Sequence, residues 1–253
     1  METGLKNRVA VVAASSQGIG RATAEAFAAE GCKVAMCARN AEALEAAAAQ
    51  IRGKYKAEVF ASAVDVTNEA AVQSFVKSVA GKFGSVDICV TNAGGPPAKR
   101  FLAATVEEWR QALDANLLSA VYFAREVIPH MQKRKAGSIA CMSSVSAQRG
   151  GGIFGGPHYS AAKAGVLGLA KAMAREFGAD GIRVNCVTPG LIGTDITSGK
   201  LTEEMRTRIL EGIPLGRLGE AKDVAGIYTF LASDLSAYVT GAVIDVNGGM
   251  LIH

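Results

Sequence analysis

Short apolar runs that alternate with longer helical stretches constrain this chain more than any other feature. Runs at 8–14, 33–38, 58–64, 86–91, 138–143, 183–188 and 242–246 read as strands. They are almost continuously apolar, which suits strands covered on both faces, as in a parallel sheet. The stretches 19–30, 41–54, 69–83, 106–134, 159–177 and 221–233 read as helices. Repeated β–α units with right-handed crossovers give an α/β fold, a doubly wound parallel sheet flanked by helices. Hydrophobic residues make up 49% of the 253, enough for a large core. No linker divides them, so one domain over 1–253 is expected.

Ligands of such sheets bind beyond the carboxyl ends of the strands. Three Gly/Pro-rich loops, 94–97, 150–157 and 190–199, each follow a predicted strand and mark that edge as a functional mouth. The first strand runs into Ala13-Ala14-Ser15-Ser16-Gln17-Gly18-Ile19-Gly20, and a helix follows. Gly18 and Gly20 let backbone approach a pyrophosphate, and the helix N-terminus supplies N–H donors and a favourable dipole. This is a Rossmann-like dinucleotide site. The second strand ends Ala38-Arg39-Asn40, with no acid from 31 to 41 to hold a ribose 2′-hydroxyl. Arg39 instead stands where a guanidinium pairs with a 2′-phosphate. NADP(H) is therefore the expected cofactor and NAD(H) the less favoured one.

Tyr159 and Lys163 lie one helical turn apart on one face. Alone, the pair also fits a chance surface meeting. A cation about 5 Å from a phenol, at an effective dielectric of about 20, favours the phenolate by roughly 3 kcal/mol. The pair thus reads as a tuned proton donor and acceptor. Ser144, at the end of the apolar run 138–142, precedes it by fifteen residues.

Charge and composition narrow the function classes further. The formal charge is +4 and the longest basic run is Lys133-Arg134-Lys135, which argues against a nucleic-acid surface. Cys32, Cys37, Cys89, Cys141 and Cys186 contain no CxxC and read as reduced core residues. His130, His158 and His253 form no metal-ligand spacing, so no metal is expected. No signal peptide and no apolar run near 18 residues is found, so a soluble cytoplasmic protein with no membrane span is expected.

In order along the chain stand Gln17-Gly18-Ile19-Gly20, Asp65-Val66, Asn92-Ala93-Gly94, Asn116, Ser144, Tyr159-x-x-x-Lys163, and Pro189-Gly190 followed by Thr194. With these motifs, the chain resembles the short-chain dehydrogenase/reductases along nearly its whole length, most closely their 3-oxoacyl-thioester (acyl-carrier-protein) reductase subgroup. The resemblance implies that Tyr159 is general acid in reduction and base in oxidation. Lys163 would hold the nicotinamide ribose and Ser144 the substrate oxygen, while Asn116 would support a water in a proton relay. Asp65 and Val66 would meet the adenine, and Asn92, Ala93 and Gly94 would pass beneath the adenosine ribose. Pro189, Gly190, Ile192 and Thr194 would border the nicotinamide half. Ser15, Ser16, Gln17, Ile19, Arg39 and Asn40 complete the expected cofactor set. Asn116 also reads as a helix-interior amide, Asp65 as a helix N-terminal acid and Thr194 as a loop cap.

The chain departs from that family's pattern in several places. Ala13-Ala14 replaces the usual Thr-Gly; Ala14 is expected at negative φ, with Ser15 or Ser16 hydroxyls helping to bind phosphate. Gln17 stands where NADP-preferring relatives often carry a base, and Asn247-Gly248-Gly249 replaces Asp-Gly-Gly. The glycine loop 150–156 is expected to line the substrate pocket. So are Pro96, Pro97, Ile153 and Phe154.

The implied reaction is reversible hydride transfer between a nicotinamide and a ketone or secondary alcohol. A 3-oxoacyl thioester on a carrier protein or coenzyme A is the leading substrate class. A small cyclic or sugar-like alcohol is the alternative, and a non-catalytic nucleotide-binding scaffold a further one. Segment 191–215, with Met205, Ile209, Leu210 and Ile213, reads as a lid or as a core helix. Lys99, Arg100, Arg134 and Arg149 are candidates for a basic rim facing a carrier protein. The resemblance also implies a homotetramer packed through helices 106–134 and 159–177.

Overall fold

The computed structural model describes residues 2–95, 99–151, 155–194 and 201–253. Seven parallel strands form the central sheet: β1 (Val9–Val12), β2 (Lys33–Ala38), β3 (Val59–Ala63), β4 (Ile88–Thr91), β5 (Gly137–Met142), β6 (Ile182–Pro189) and β9 (Val243–Val246). Their order is β3-β2-β1-β4-β5-β6-β9. Val11 pairs with Ala35 on one side and Cys89 on the other, so the winding reverses at β1 and opens a crevice there. A separate two-stranded ladder joins β7 (Ile192–Gly193) to β8 (Gly219–Glu220) beyond the sheet's carboxyl edge.

Alternate residues of the buried strands feed two cores. Val9, Val11 and Ala13 point to one face, where α3 (Glu69–Phe83), α5 (Ser119–Arg134) and α7 (Pro157–Phe177) pack through Val72, Phe123 and Val166. Ala10 and Val12 point to the other, against α1 (Gly18–Ala29), α2 (Ala41–Tyr55) and α9 (Ala221–Ala232) through Phe27, Leu44 and Tyr228. With β1 buried on both faces, its near-continuous apolar sequence is explained. The five cysteines are free and buried, as expected.

Polar caps set the helix boundaries. Asn40 and Asn68 accept from Ala43 and Ala71 N–H at the starts of α2 and α3. Thr105 and Glu108 form a reciprocal capping box on α4 (Val106–Leu113).

Two departures from the sequence expectations matter, and one open reading is decided. The single helix expected over 106–134 is α4 and α5 joined by a π turn, Asp114–Leu118. A short helix, α6 (Val145–Arg149), stands between β5 and the glycine loop, which therefore follows a helix and not a strand. Segment 191–215 contains α8 (Glu203–Glu211), none of whose residues is buried. It is a covering helix, not a core one. Pro96, Pro97, Ile153 and Phe154 lie outside the described residues.

Candidate active site

The first turn beyond β1 is strained. Ala14 has φ +50, in the left-handed region, against the expected negative value. Surrounding contacts impose this. Ser15 N–H donates to Cys37 O and Ala13 N–H to Val90 O, anchoring the turn to both flanking strands. Asn92 Nδ2 donates to Ala14 O at 3.3 Å, and a Cβ on Gly20 would stand only 2.3 Å from that carbonyl. Ala14 O is thus wedged between Asn92 and Gly20, and the backbone conformation follows. Ser15 is fully buried and its hydroxyl donates to Val12 O at 2.9 Å. It braces the turn from inside, so the phosphate-binding expectation for that hydroxyl is corrected. Ser16 is half-buried.

Beyond the turn, Gln17 begins α1 with no side-chain cap, and its first turn carries no acid. Beside this end of the helix lies a cavity of about 870 Å³ whose lining includes Ile19 and Thr194. Such uncapped donors at a helix N-terminus suit a pyrophosphate. Gly18, at φ +57, keeps 3.6 Å between its Cβ position and Thr194, leaving a narrow backbone passage. Arg39 is exposed where β2 ends, and Asn40 beside it spends its carbonyl oxygen on the α2 cap. Asp65 is exposed and accepts from Thr67 N–H and hydroxyl, which hold its carboxyl below the ordinary range. Val66 beside it is half-buried. These residues fit a dinucleotide laid across the sheet edge.

The chemical end of the cavity is formed by α6 and α7. Ser144 is the N-cap of α6: its Oγ accepts from Ser146 N–H at 3.1 Å, and its hydroxyl proton is left to donate to the Tyr159 phenol oxygen. Tyr159, near the start of α7, hydrogen-bonds Ser144. Both line the cavity. A Cβ on Gly155 would come within 2.8 Å of the Tyr159 ring, so glycine there is what lets the ring approach the loop this closely.

Lys163 is 1% exposed, and its Nζ donates to Met142 O at 2.9 Å and Ala93 O at 3.2 Å. Burial lowers its pKa from 10.5 to about 8. Its ammonium stands 5.9 Å from the Tyr159 ring centre. The expectation that this cation makes the phenol acidic is corrected. Burial raises the Tyr159 pKa, and the opposing pull comes from Ser144. At neutral pH the phenol keeps its proton, the form a general acid needs.

Asn116 occupies the π turn, a distortion that often marks functional positions. Its Oδ1 accepts from Gly95 N–H at 3.1 Å, and its Nδ2 donates to Ala112 O at 2.9 Å. Its side chain is the staple of the Gly94–Gly95 loop. A Cβ on Gly94 would fall 2.2 Å from Asn116 Oδ1 and 3.2 Å from Lys163 Nζ, so that glycine admits both groups. Pro189 ends β6, and Gly190 and Ile192 continue along the cavity wall.

Of the residues singled out in the sequence, Ile19, Gly94, Ser144, Tyr159, Pro189, Gly190, Ile192 and Thr194 line one cavity, whereas Arg39, Asn40, Asp65 and Val66 lie beyond its lining. Several others were missed. Met250 and Leu251 line the same cavity, as does Arg208; Arg149, a rim candidate from the sequence, lines it too. An apolar pair just after a Gly-Gly turn was the available signal for the first two. Of the proposed basic rim, Lys99 pairs with Glu108. Arg134 pairs with Asp87 at 3.0 Å, and Asp87 lies at the amino end of β4, away from the mouth. Arg134 is therefore removed from the rim.

Known proteins show the same plan. A family model described as enoyl-(acyl carrier protein) reductase matches residues 13–251. An uncharacterized short-chain type dehydrogenase/reductase of Sinorhizobium fredii is 57% identical over 251 residues, 98% of this chain and 99% of that protein. The 3-oxoacyl-[acyl-carrier-protein] reductase of Escherichia coli is 38% identical over 245 residues, 97% of this chain and 98% of that one. Among solved structures, L-sorbose reductase from Gluconobacter frateurii, complexed with NADPH and L-sorbose, superposes with a TM-score of 0.93 at 33% identity. That match covers 100% of both chains.

Proposed function

The chain belongs to the short-chain dehydrogenase/reductase family and is an oxidoreductase acting on CH–OH and C=O groups; from that premise we propose that it is an NADP(H)-dependent reductase of 3-oxoacyl thioesters. The carrying observation is that Ser144 and Tyr159 line one cavity with Ile19 at the start of α1, while the buried Lys163 stands behind the Tyr159 ring. The nicotinamide supplies the hydride chemistry when bound. The protein's own part is to polarise and protonate. With substrate in place, the Ser144 hydroxyl turns from the phenol, and it and the protonated phenol of Tyr159 both donate to the substrate oxygen. Their bonds strengthen as that oxygen gains charge, and this differential contact lowers the barrier. Lys163, held by two carbonyls, fixes the ammonium beside the phenol and the ribose site. Asn116 keeps the Gly94–Gly95 backbone in place beneath it.

Substrate class is argued from the walls. Leu191, Met205, Ile209, Met250 and Leu251 surround the approach to Ser144 and Tyr159 with apolar surface. That favours an acyl chain over a polyol, with the thioester carried on a carrier protein or coenzyme A. The likeness to L-sorbose reductase supports a second reading, a sugar-like ketone. The exposed Arg39 at the end of β2 supports NADP(H) over NAD(H). The assembly we propose is a homotetramer through the α4–α5 and α7 layer, where Phe101, Leu102 and Val106 remain exposed.

A panel of 3-oxoacyl thioesters and sugar ketones, each assayed with NADPH and NADH, tests the reading. Thioesters should lead the panel and NADPH should lead NADH by at least tenfold in kcat/KM. Arg39→Asp should reverse the cofactor order. A wild-type preference for NADH overturns the cofactor assignment, and turnover confined to sugars overturns the substrate class.

A further inference from the structure

Segment 247–253 is more tightly organised than a chain end lying on a surface. Gly248 and Gly249, at φ +66 and +88, turn the backbone on itself. Asn247 then holds the turn from both sides. Its Nδ2 donates to Leu251 O at 3.1 Å, and its Oδ1 accepts from Gly249 N–H at 2.8 Å. Its own carbonyl accepts from Met250 N–H at 3.1 Å. These bonds present Met250 and Leu251 to the catalytic cavity, alongside Met205 and Ile209 of α8.

A second set of contacts ties the segment to α6, the helix that Ser144 caps. Gln148 of α6 donates from Nε2 to Asp245 Oδ1 at 3.0 Å and stands 3.1 Å from His253 Nε2. His253 Nε2 lies 3.3 Å from Asp245 Oδ2, and Thr188 hydrogen-bonds the same carboxylate. The helix that ends near Gln148 begins at Ser144. The wall made by Met250 and Leu251 is therefore registered to the substrate-polarising hydroxyl.

We propose that segment 247–253 is the chain-length gauge of the cavity and that Asn247 is the positioning residue that sets it. This rests on the reductase reading above. Asn247 needs an amide because one side chain must donate to Leu251 and accept from Gly249 at once. A carboxylate there can only accept, and it would set oxygen against the Leu251 carbonyl. Asn247 does not touch the reacting atoms, so its effect falls on how the acyl chain is held.

The test compares wild type, Asn247→Asp and Leu251→Ala on 3-oxoacyl thioesters of increasing length with NADPH. It also follows hydrogen exchange of peptide 247–253, which reads the clamp without turnover. In Asn247→Asp, KM for the longer chains should rise about tenfold, the loss typical of one hydrogen bond, while kcat moves less than threefold and the segment exchanges faster. Leu251→Ala should shift the preferred chain length upward. Unchanged exchange in Asn247→Asp overturns the clamp. Faster exchange with an unaltered length profile in both variants overturns the gauge. A wild type inactive on the whole series overturns the reductase reading and the gauge with it, while the exchange result still judges the clamp separately.

Discussion

Replacing Ala14 with glycine should stabilise this protein, although the change removes a methyl group from a loop that is largely buried. Ala14 is held at φ +50 by the wedge of Asn92 and Gly20 on its carbonyl. An L side chain in the left-handed region costs about 1–2 kcal/mol. Glycine removes that cost but loosens the unfolded chain, which takes back roughly 0.4–1 kcal/mol. The net gain is about 1 kcal/mol, or a rise in Tm of roughly 2–4 °C for a chain of this size. Differential scanning calorimetry measures it directly. A paired variant, Gly20→Ala, should be strongly destabilised, because its Cβ would stand 2.3 Å from Ala14 O. The same contacts keep the loop in one conformation whichever residue stands at 14. NADPH affinity, read by fluorescence titration, should therefore change less than threefold in Ala14→Gly. A variant no more stable than wild type would refute the strain, and with it the view that neighbouring contacts force the turn.

Other expectations follow from the same geometry. Tyr159→Phe removes the phenolic proton donor and should lower kcat by about 10²–10⁴ with NADPH binding retained; near-normal turnover sinks the assignment. Lys163 has a folded pKa of about 8 against 10.5 unfolded. The unfolded chain binds the extra proton between those values, so this group's contribution to stability rises with pH across that window. Between pH 7 and pH 10, wild type should therefore gain roughly 2–3 kcal/mol relative to Lys163→Met in urea unfolding, and parallel curves would show that the amine is not perturbed. Gly155→Ala should displace the Tyr159 ring, which a Cβ would approach to 2.8 Å, and lower kcat at least tenfold with little change in Tm; unaltered kcat would mean that the loop yields freely.

The sheet was legible because its inner strands, such as β1 and β4, are buried on both faces. Burial writes itself as an unbroken apolar run, and all seven strands stand where such runs occur. Spacing alone placed Tyr159 and Lys163 on one helix face. What escaped the sequence were effects set by distant neighbours. The sign of φ at Ala14 depends on Asn92, 78 positions away along the chain. The direction of the Tyr159 shift depends on how much water the assembled cleft excludes, which no local pattern records. The role of Arg134 was misjudged because a basic residue carries no mark of which sheet edge it will occupy. The pocket wall at Met250 and Leu251 was missed because two apolar residues after a turn have no periodicity to read.

The π turn between α4 and α5 fixes the phase of everything before it. An ordinary helix advances by about 100° per residue. Deleting one residue from 114–118 would restore regular backbone bonding, yet it would swing α4 around its axis relative to α5. Asn116 would then leave the Gly95 backbone it clasps, and the Thr105–Glu108 cap would face a different neighbour. The stretch from Val106 to Arg134 is consequently intolerant of length change in a way its helical content conceals: a shorter and more regular rod would be the worse catalyst.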